Sequence, residues 1–300
     1  MGEEMLTIGI LGLDTSHPES FAKILQRRDG ATVSAVWDGG DVRSDEYVTE
    51  FCETYEATRY DNPAMMAESV DVAMVLTANW ETHLPLARPF LDAGVPTLVD
   101  KPLGGTLDTI DGFEQAAENA PLFGGSAVPF HPEIAALPRS ASERTLFAAG
   151  YNDYYYYRVH LADTVRRIAN ADWSQVEPMT DLGTSVRVTF DDGLNTVVRF
   201  DGPHKDGTFG VLDVADQTRA VEIPGTEAAL KKMYEQYIDA FLDTAHRERD
   251  DTDTLVDASR LALAIEAALK QNTTVTPDSN SLDEVRLNGE AFLDDYSPYY

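Results

Sequence analysis

The stretch LTIGILGLDTSHPE, residues 6–19, is an apolar run that stops at a glycine and turns into a helix start. Residues 6–11 suit a strand buried on both faces, the kind that a parallel sheet holds. Ser16 reads as a helix cap, Pro18 lies in the first turn and Glu19 completes a capping box, so a helix is expected to about Arg28. A strand that passes through a tight turn into a helix N-terminus gathers backbone N–H groups where a phosphate can sit. Dinucleotide-binding folds write this turn as G-x-G-x-x-G. Here only the first glycine, Gly12, is present; Asp14 stands second and His17 third. Taken alone the turn is equally a capped strand-to-helix corner. A side chain and a charge at Asp14 are expected to hinder a pyrophosphate, whereas Thr15 and Ser16 offer hydroxyls.

Outward from this turn the chain alternates. Strands are predicted at 31–37, 57–60, 70–77, 96–99 and 122–124, and helices at 45–55, 63–69, 83–93 and 106–119. This rhythm predicts a doubly wound parallel sheet in residues 1–125. Past Gly125 the pattern changes. Residues 151–160 are rich in aromatic and β-branched types, and 184–190, 195–200, 207–213 and 219–222 read as successive strands. Asp191-Asp192-Gly193 is a hairpin signal. Helices are expected at 162–169, 230–246 and 255–271, and the acidic stretch 247–253 as a solvated loop between two of them. Residues 126–300 are therefore expected to form an α+β domain with a mostly antiparallel sheet.

Composition narrows the partners. The 300 residues hold 23 Lys and Arg against 52 Asp and Glu, a formal charge of −29, with lysine only six times. Hydrophobic residues make up 43% of the chain, enough for a sizeable core. Nucleic acid and anionic membrane surfaces are disfavoured, since both need clustered cations. The single cysteine, Cys52, excludes an intrachain disulfide, and no run approaches the length of a membrane span. The acidic start lacks the basic region of a signal peptide, and a soluble cytoplasmic protein is expected. The dense, dispersed carboxylates and scarce lysine resemble those of cytoplasmic proteins from extreme halophiles, where salt screens self-repulsion.

The chemistry lies at strand ends. Asp38 follows the second strand, 26 residues past Gly12, and suits the acid that holds a ribose 2′-hydroxyl, favouring NAD over NADP; Arg43 nearby keeps NADP open, and a plain turn aspartate has the same look. VPTLVDKPL, residues 95–103, sets Asp100 and Lys101 after a buried strand, at the sheet edge where such folds bind ligands. TANWETH, residues 77–83, likewise ends a strand and opens a helix, placing Thr77, Asn79 and His83 there. His160 and Asp163 lie one turn apart before a helix. No histidine and carboxylate spacing suits zinc.

This ordered set resembles the Gfo/Idh/MocA oxidoreductases (glucose–fructose oxidoreductase, inositol dehydrogenase and relatives), whose signatures are a T-P-N-x-x-x-H-like turn and E-K-P; here they read T-A-N-W-E-T-H and D-K-P. The resemblance runs over nearly the whole chain, through His160-Leu-Ala-Asp163 and the 190–193 hairpin. It implies a Rossmann-type dinucleotide domain and redox chemistry on a sugar- or cyclitol-like hydroxyl. It also implies that Lys101 touches cofactor and substrate, that His160 is the acid/base and that Asp163 binds substrate, with Gly12, Asp14, Thr15, Ser16, Asp38, Thr77, Asn79, His83 and Asp100 along the cofactor. Phe130 borders the cleft. Where the family often has an aspartate, four residues before the histidine, this chain has Tyr156. A phenol can carry protons there, although the run Tyr154–157 also reads as core or interface packing that alternates between sheet faces. The departures at Asp14 and Tyr156 leave a second reading open: a member without redox turnover that binds a ligand or regulates. A lyase or hydrolase using tightly held NAD is a third. Trp80 reads either as a cofactor flank or as packing, and His204 and His246 as structural. Assembly through the outer face of the second sheet, around 195–213, is expected, as is common for symmetric oligomers.

Overall fold

The computed structural model describes residues 5–139, 143–152, 154–169, 171–202 and 207–296. The first sheet is built from β1 (Leu6–Leu11), β2 (Ala31–Trp37), β3 (Thr58–Arg59), β4 (Val72–Val75), β5 (Thr97–Val99) and β6 (Leu122–Gly124). All its pairings are parallel and its order is β3-β2-β1-β4-β5-β6. Helices α1 (His17–Leu25), α2 (Asp45–Tyr55), α3 (His83–Asp92) and α4 (Leu107–Ala116) connect the strands. Every residue of β4 and β5 is buried, as expected for strands covered on both faces. The order reverses between β1 and β4, so the crevice outside their carboxyl ends is the place for a ligand.

A four-residue helix, α5 (Pro132–Ala135), leads to the second sheet. Its strands are β7 (Thr145–Tyr151), β8 (Trp173–Pro178), β9 (Ser185–Phe190), β10 (Asn195–Gly202), β11 (Phe209–Val214) and β12 (Thr218–Ile223), in the order β12-β11-β7-β10-β9-β8. Only β7 and β10 run parallel. Burial alternates along β7 and β10, so one face is covered and one is open. On the open face Phe147 sits opposite both Leu212 and Val197, with Phe147 44% and Leu212 38% exposed. The covered face packs under α6 (Tyr155–Ile168) and α8 (Thr252–Gln271). Helix α7 (Glu227–Ala245) ties the second half to α1, and α9 (Gly289–Asp295) lies near the end of the chain.

Several expectations are corrected. Tyr155–Tyr157 do not alternate between sheet faces: β7 stops at Tyr151 and these residues form the first turn of α6. Their strand propensity yields to burial, since α6 is covered on nearly all sides. Strands β7 and β8 were not anticipated: β7 ends where the strand-like 151–160 stretch begins, and polar Ser174 and Gln175 interrupt the apolar pattern of β8. Ser16 has helical backbone angles and makes no side-chain cap bond, and Glu19 instead pairs with Lys23 one turn on. The 247–253 stretch is not wholly solvated, because Asp251 is buried and accepts from Arg167 and Arg249. His204 and the last four residues lie outside the described residues. Among the described residues no helix is long and apolar enough to cross a membrane.

Candidate active site

Gly12 ends β1 with φ +90, and its N–H donates to Trp37 O. A Cβ there would lie 2.5 Å from Thr77 Cγ2 and 2.9 Å from Thr77 N. The turn therefore passes the end of β4 closely, and only glycine permits both the angle and the approach. Asp14 does not project from the turn as expected. Its carboxylate is buried and accepts from Ala78 N–H at 2.8 Å. Burial, with the charges of Asp38 and Asp41, raises its pKa to about 6, against the pull of Ala78 N–H and Arg43. The loop after β2 closes on the same turn: Asp38 accepts from Leu13 N–H at 2.7 Å and Gly40 N–H at 3.0 Å, while Arg43 Nε donates to Leu13 O. Thr15 Oγ1 accepts from His17 N–H, and Ser16 is half-buried.

These features fit a dinucleotide. The turn retains its essential glycine at a helix N-terminus. The carboxylate at the second position is folded inward onto Ala78 N–H, and Asp38 keeps lone pairs beyond its two backbone bonds.

Across the switch point, β5 delivers Asp100 and Lys101, the latter followed by a cis bond to Pro102. Asp100 is buried; it accepts from Lys101 N–H at 2.7 Å and lies 2.6 Å from His17 Nδ1. Lys101 is only 5% exposed. Its Nζ lies 2.9 Å from the centre of the Tyr156 ring and donates to Tyr156 O at 3.3 Å. Burial pushes its pKa down to about 7, with Asp100 opposing. On the far side of the Tyr156 ring Phe292 of α9 stacks at 4.4 Å; an ammonium and a ring this close cannot share one face. The same segment reaches the parallel-sheet half, where Trp80 Nε1 donates to Leu287 O and the indole packs against Phe292 and Tyr155. Trp80 is thus a packing residue.

One turn past Tyr156, His160 places Nδ1 2.7 Å from Ser126 Oγ. Burial, then the Lys101 charge, hold its pKa well below the usual imidazole range, so the ring is neutral. Ser126 also accepts from Val128 N–H and donates its own N–H to Asp163 at 2.7 Å. Asp163 is further held by Arg167 Nε at 2.7 Å. A small cavity runs between Lys101, Ser126, Tyr155, Val159 and Asp163.

The structure thus gathers Asp100, Lys101, Tyr156, His160 and Asp163, and adds His17, which the motif placed only in the phosphate turn, and Ser126, which motif reading passed over. Ser126 could have been found as the first polar residue after the last strand of the parallel sheet. Other expected residues sit apart. Phe130 packs among Phe123 and Tyr237, under the Arg167 guanidinium. His83 is fully buried as a strut, Nδ1 2.9 Å from Pro102 O and Nε2 2.9 Å from Thr77 O. Thr77 Oγ1 meets Thr82 Oγ1, and Asn79 Oδ1 accepts from Glu81 N–H. Among the described residues no three His, Cys, Asp or Glu side chains group as a metal site.

Residues 6–122 match the model of an oxidoreductase family with an NAD-binding Rossmann fold. No curated protein sequence matches the chain. Solved structures resemble it over nearly its full length. A probable dehydrogenase from Thermotoga maritima has a TM-score of 0.75 at 17% identity, covering 93% of this chain and 100% of that one. GenD2 from gentamicin A biosynthesis, solved in complex with NAD, gives 0.76 at 15%, covering 93% and 98%. The scyllo-inositol dehydrogenase of Lactobacillus casei gives 0.74 at 13%, covering 93% and 100%. Identities this low speak for the fold, and the family match covers the parallel-sheet half: residues 6–122 of this chain are similar to the Gfo/Idh/MocA oxidoreductases with their NAD-binding Rossmann fold.

Proposed function

We propose that the chain is an NAD-dependent oxidoreductase acting on the CH–OH group of a small sugar- or cyclitol-like molecule. The observation that carries this reading is Lys101, buried at the carboxyl edge of the parallel sheet against the helix turns that bear Tyr156 and His160. A bound nicotinamide supplies the hydride acceptor. The chain's own groups move the proton. Neutral Lys101 Nζ takes it from the hydroxyl, and His160 offers Nε2 as a second carrier, since Nδ1 faces Ser126. Asp163 orients Ser126, and Phe130 supports the helix behind it. Gly12, Asp14, Thr15 and Ser16 form the phosphate turn, Asp38 holds the ribose, and Thr77, Asn79, His83 and Asp100 shape the crevice. A carboxylate at Asp38 repels a 2′-phosphate, which favours NAD over NADP. We divide the chain at residues 125/126, where it leaves the parallel sheet, and place it in the cytoplasm of a salt-rich cell.

The test is fluorescence titration with NADH and NADPH in molar salt, followed by assay of NAD reduction with a panel of cyclitols and sugars. NADH is expected to bind more tightly, and turnover to rise through about pH 7 as Lys101 loses its proton. Lys101→Ala should remain folded and lose about 100-fold or more of the rate. If neither dinucleotide binds, the redox reading fails and a ligand-binding protein on the same fold takes its place. We further propose that two copies pair through the open sheet face around Phe147 and Leu212. Light scattering should give a dimer or larger for the native chain and a monomer for Phe147→Arg; a native monomer at every salt concentration refutes the pairing.

A further inference from the structure

His17 occupies the third glycine position of the phosphate turn, yet its ring is turned across to β5. The ring stacks on Phe21 at 5.1 Å and meets Tyr234 of α7 edge-on at 5.4 Å, which fixes its plane. Its Nδ1 lies 2.6 Å from Asp100 Oδ2. An ionised carboxylate only accepts, so Nδ1 carries the hydrogen. The other oxygen, Oδ1, accepts from Lys101 N–H. Asp100 therefore stands between an imidazole and the backbone N–H of Lys101, buried, with both oxygens engaged.

We propose that His17 is a positioning residue for Lys101, acting through Asp100. With the imidazole in place, Asp100 Oδ2 is held toward α1 and its charge is shared. Without it, a buried carboxylate oxygen loses its donor, a state that costs free energy until a cation or another donor answers it. Lys101 is the cation next in sequence, and its charge is already coupled to Asp100. Loss of His17 thus stabilises the ammonium and makes Lys101 a poorer proton acceptor at neutral pH. The other groups that face the trio are Tyr156, Tyr157 and His160 of α6, Tyr234 and Tyr237 of α7, and His83 of α3. None of these is a cation at neutral pH that could answer Asp100 in place of Lys101: the tyrosines are phenols, and burial keeps His83 and His160 neutral.

The catalytic consequence rests on the function proposed above; the coupling of His17 to Lys101 does not. The experiment labels lysine at 13Cε and follows the Lys101 signal by NMR against pH in molar salt, with Lys101→Arg to assign it among six lysines. The variants are His17→Ala, His17→Phe, which keeps the stacking and deletes the donor, and His17→Asn, which restores an N–H near the Nδ1 position. The Lys101 midpoint should rise by about one pH unit, a tenfold change in the ammonium-to-amine ratio, in the Ala and Phe variants and return toward the native value in the Asn variant. The rising limb of the pH–rate profile should move by the same amount. A midpoint unchanged in the folded Phe variant, or a rise that Asn does not reverse, overturns the proposal. A moved midpoint in a chain that binds no dinucleotide would leave the coupling standing and sink the redox reading instead.

Discussion

Burial raises the pKa of Asp14 to about 6 from an ordinary 3.8. A carboxyl raised in this way contributes its full stability below about pH 4, where it is protonated folded and unfolded, and loses it as pH climbs through 6. Asp14→Asn keeps an acceptor for Ala78 N–H and removes the ionisation. Denaturant melts in molar salt should therefore show the variant more stable than the native chain by roughly 2–3 kcal/mol at pH 8, with the difference vanishing near pH 4. A constant difference across that range would contradict the assignment. At this scale the sequence was legible where a residue's type and its place at a strand end say the same thing, as at Gly12 and Lys101. It was misleading at Asp14, because burial and the inward hydrogen bond come from the Ala78 backbone, far along the chain. It was silent at His17, whose partner Asp100 is brought near only by the sheet.

Helix α6 shows the same limit for elements. Its first turn, Tyr155–Tyr157, has the composition of a strand, and only packing of the helix against the second sheet and α8 makes it helical. Near its far end Arg167 is buried and bridges Asp163 and Asp251, and Arg249 joins through Asp251. That network links α6 to the start of α8 and holds the carboxylate that orients Ser126. Arg167→Ala leaves two buried carboxylates without their shared cation and should cost about 3–5 kcal/mol. Equilibrium unfolding in molar salt measures it; a cost below about 1 kcal/mol would mean that the network is a surface-type ion pair. The parallel strands, by contrast, were found to within two residues at each end, because continuous apolar runs between turns leave few alternatives.

For the whole molecule the decisive quantity is the formal charge of −29 on 300 residues. Self-repulsion of that size falls as the screening length shrinks from about 10 Å at 0.1 M salt to about 3 Å at 1 M. The thermal midpoint should therefore rise between 0.1 M and 2 M potassium chloride, and equal or greater stability in dilute buffer would refute a salt-adapted surface. Dinucleotide affinity should rise over the same range, since the phosphates approach an acidic protein. The segment before α9 offers a way to watch the site under such conditions. Trp80 is buried, with its indole N–H bonded to Leu287 O, and it is one of three tryptophans in the chain. If that segment lifts away, Trp80 alone of the three loses its partner and meets water. Its emission should shift to the red, so the protein carries its own optical gauge of whether the roof over Tyr156 is shut.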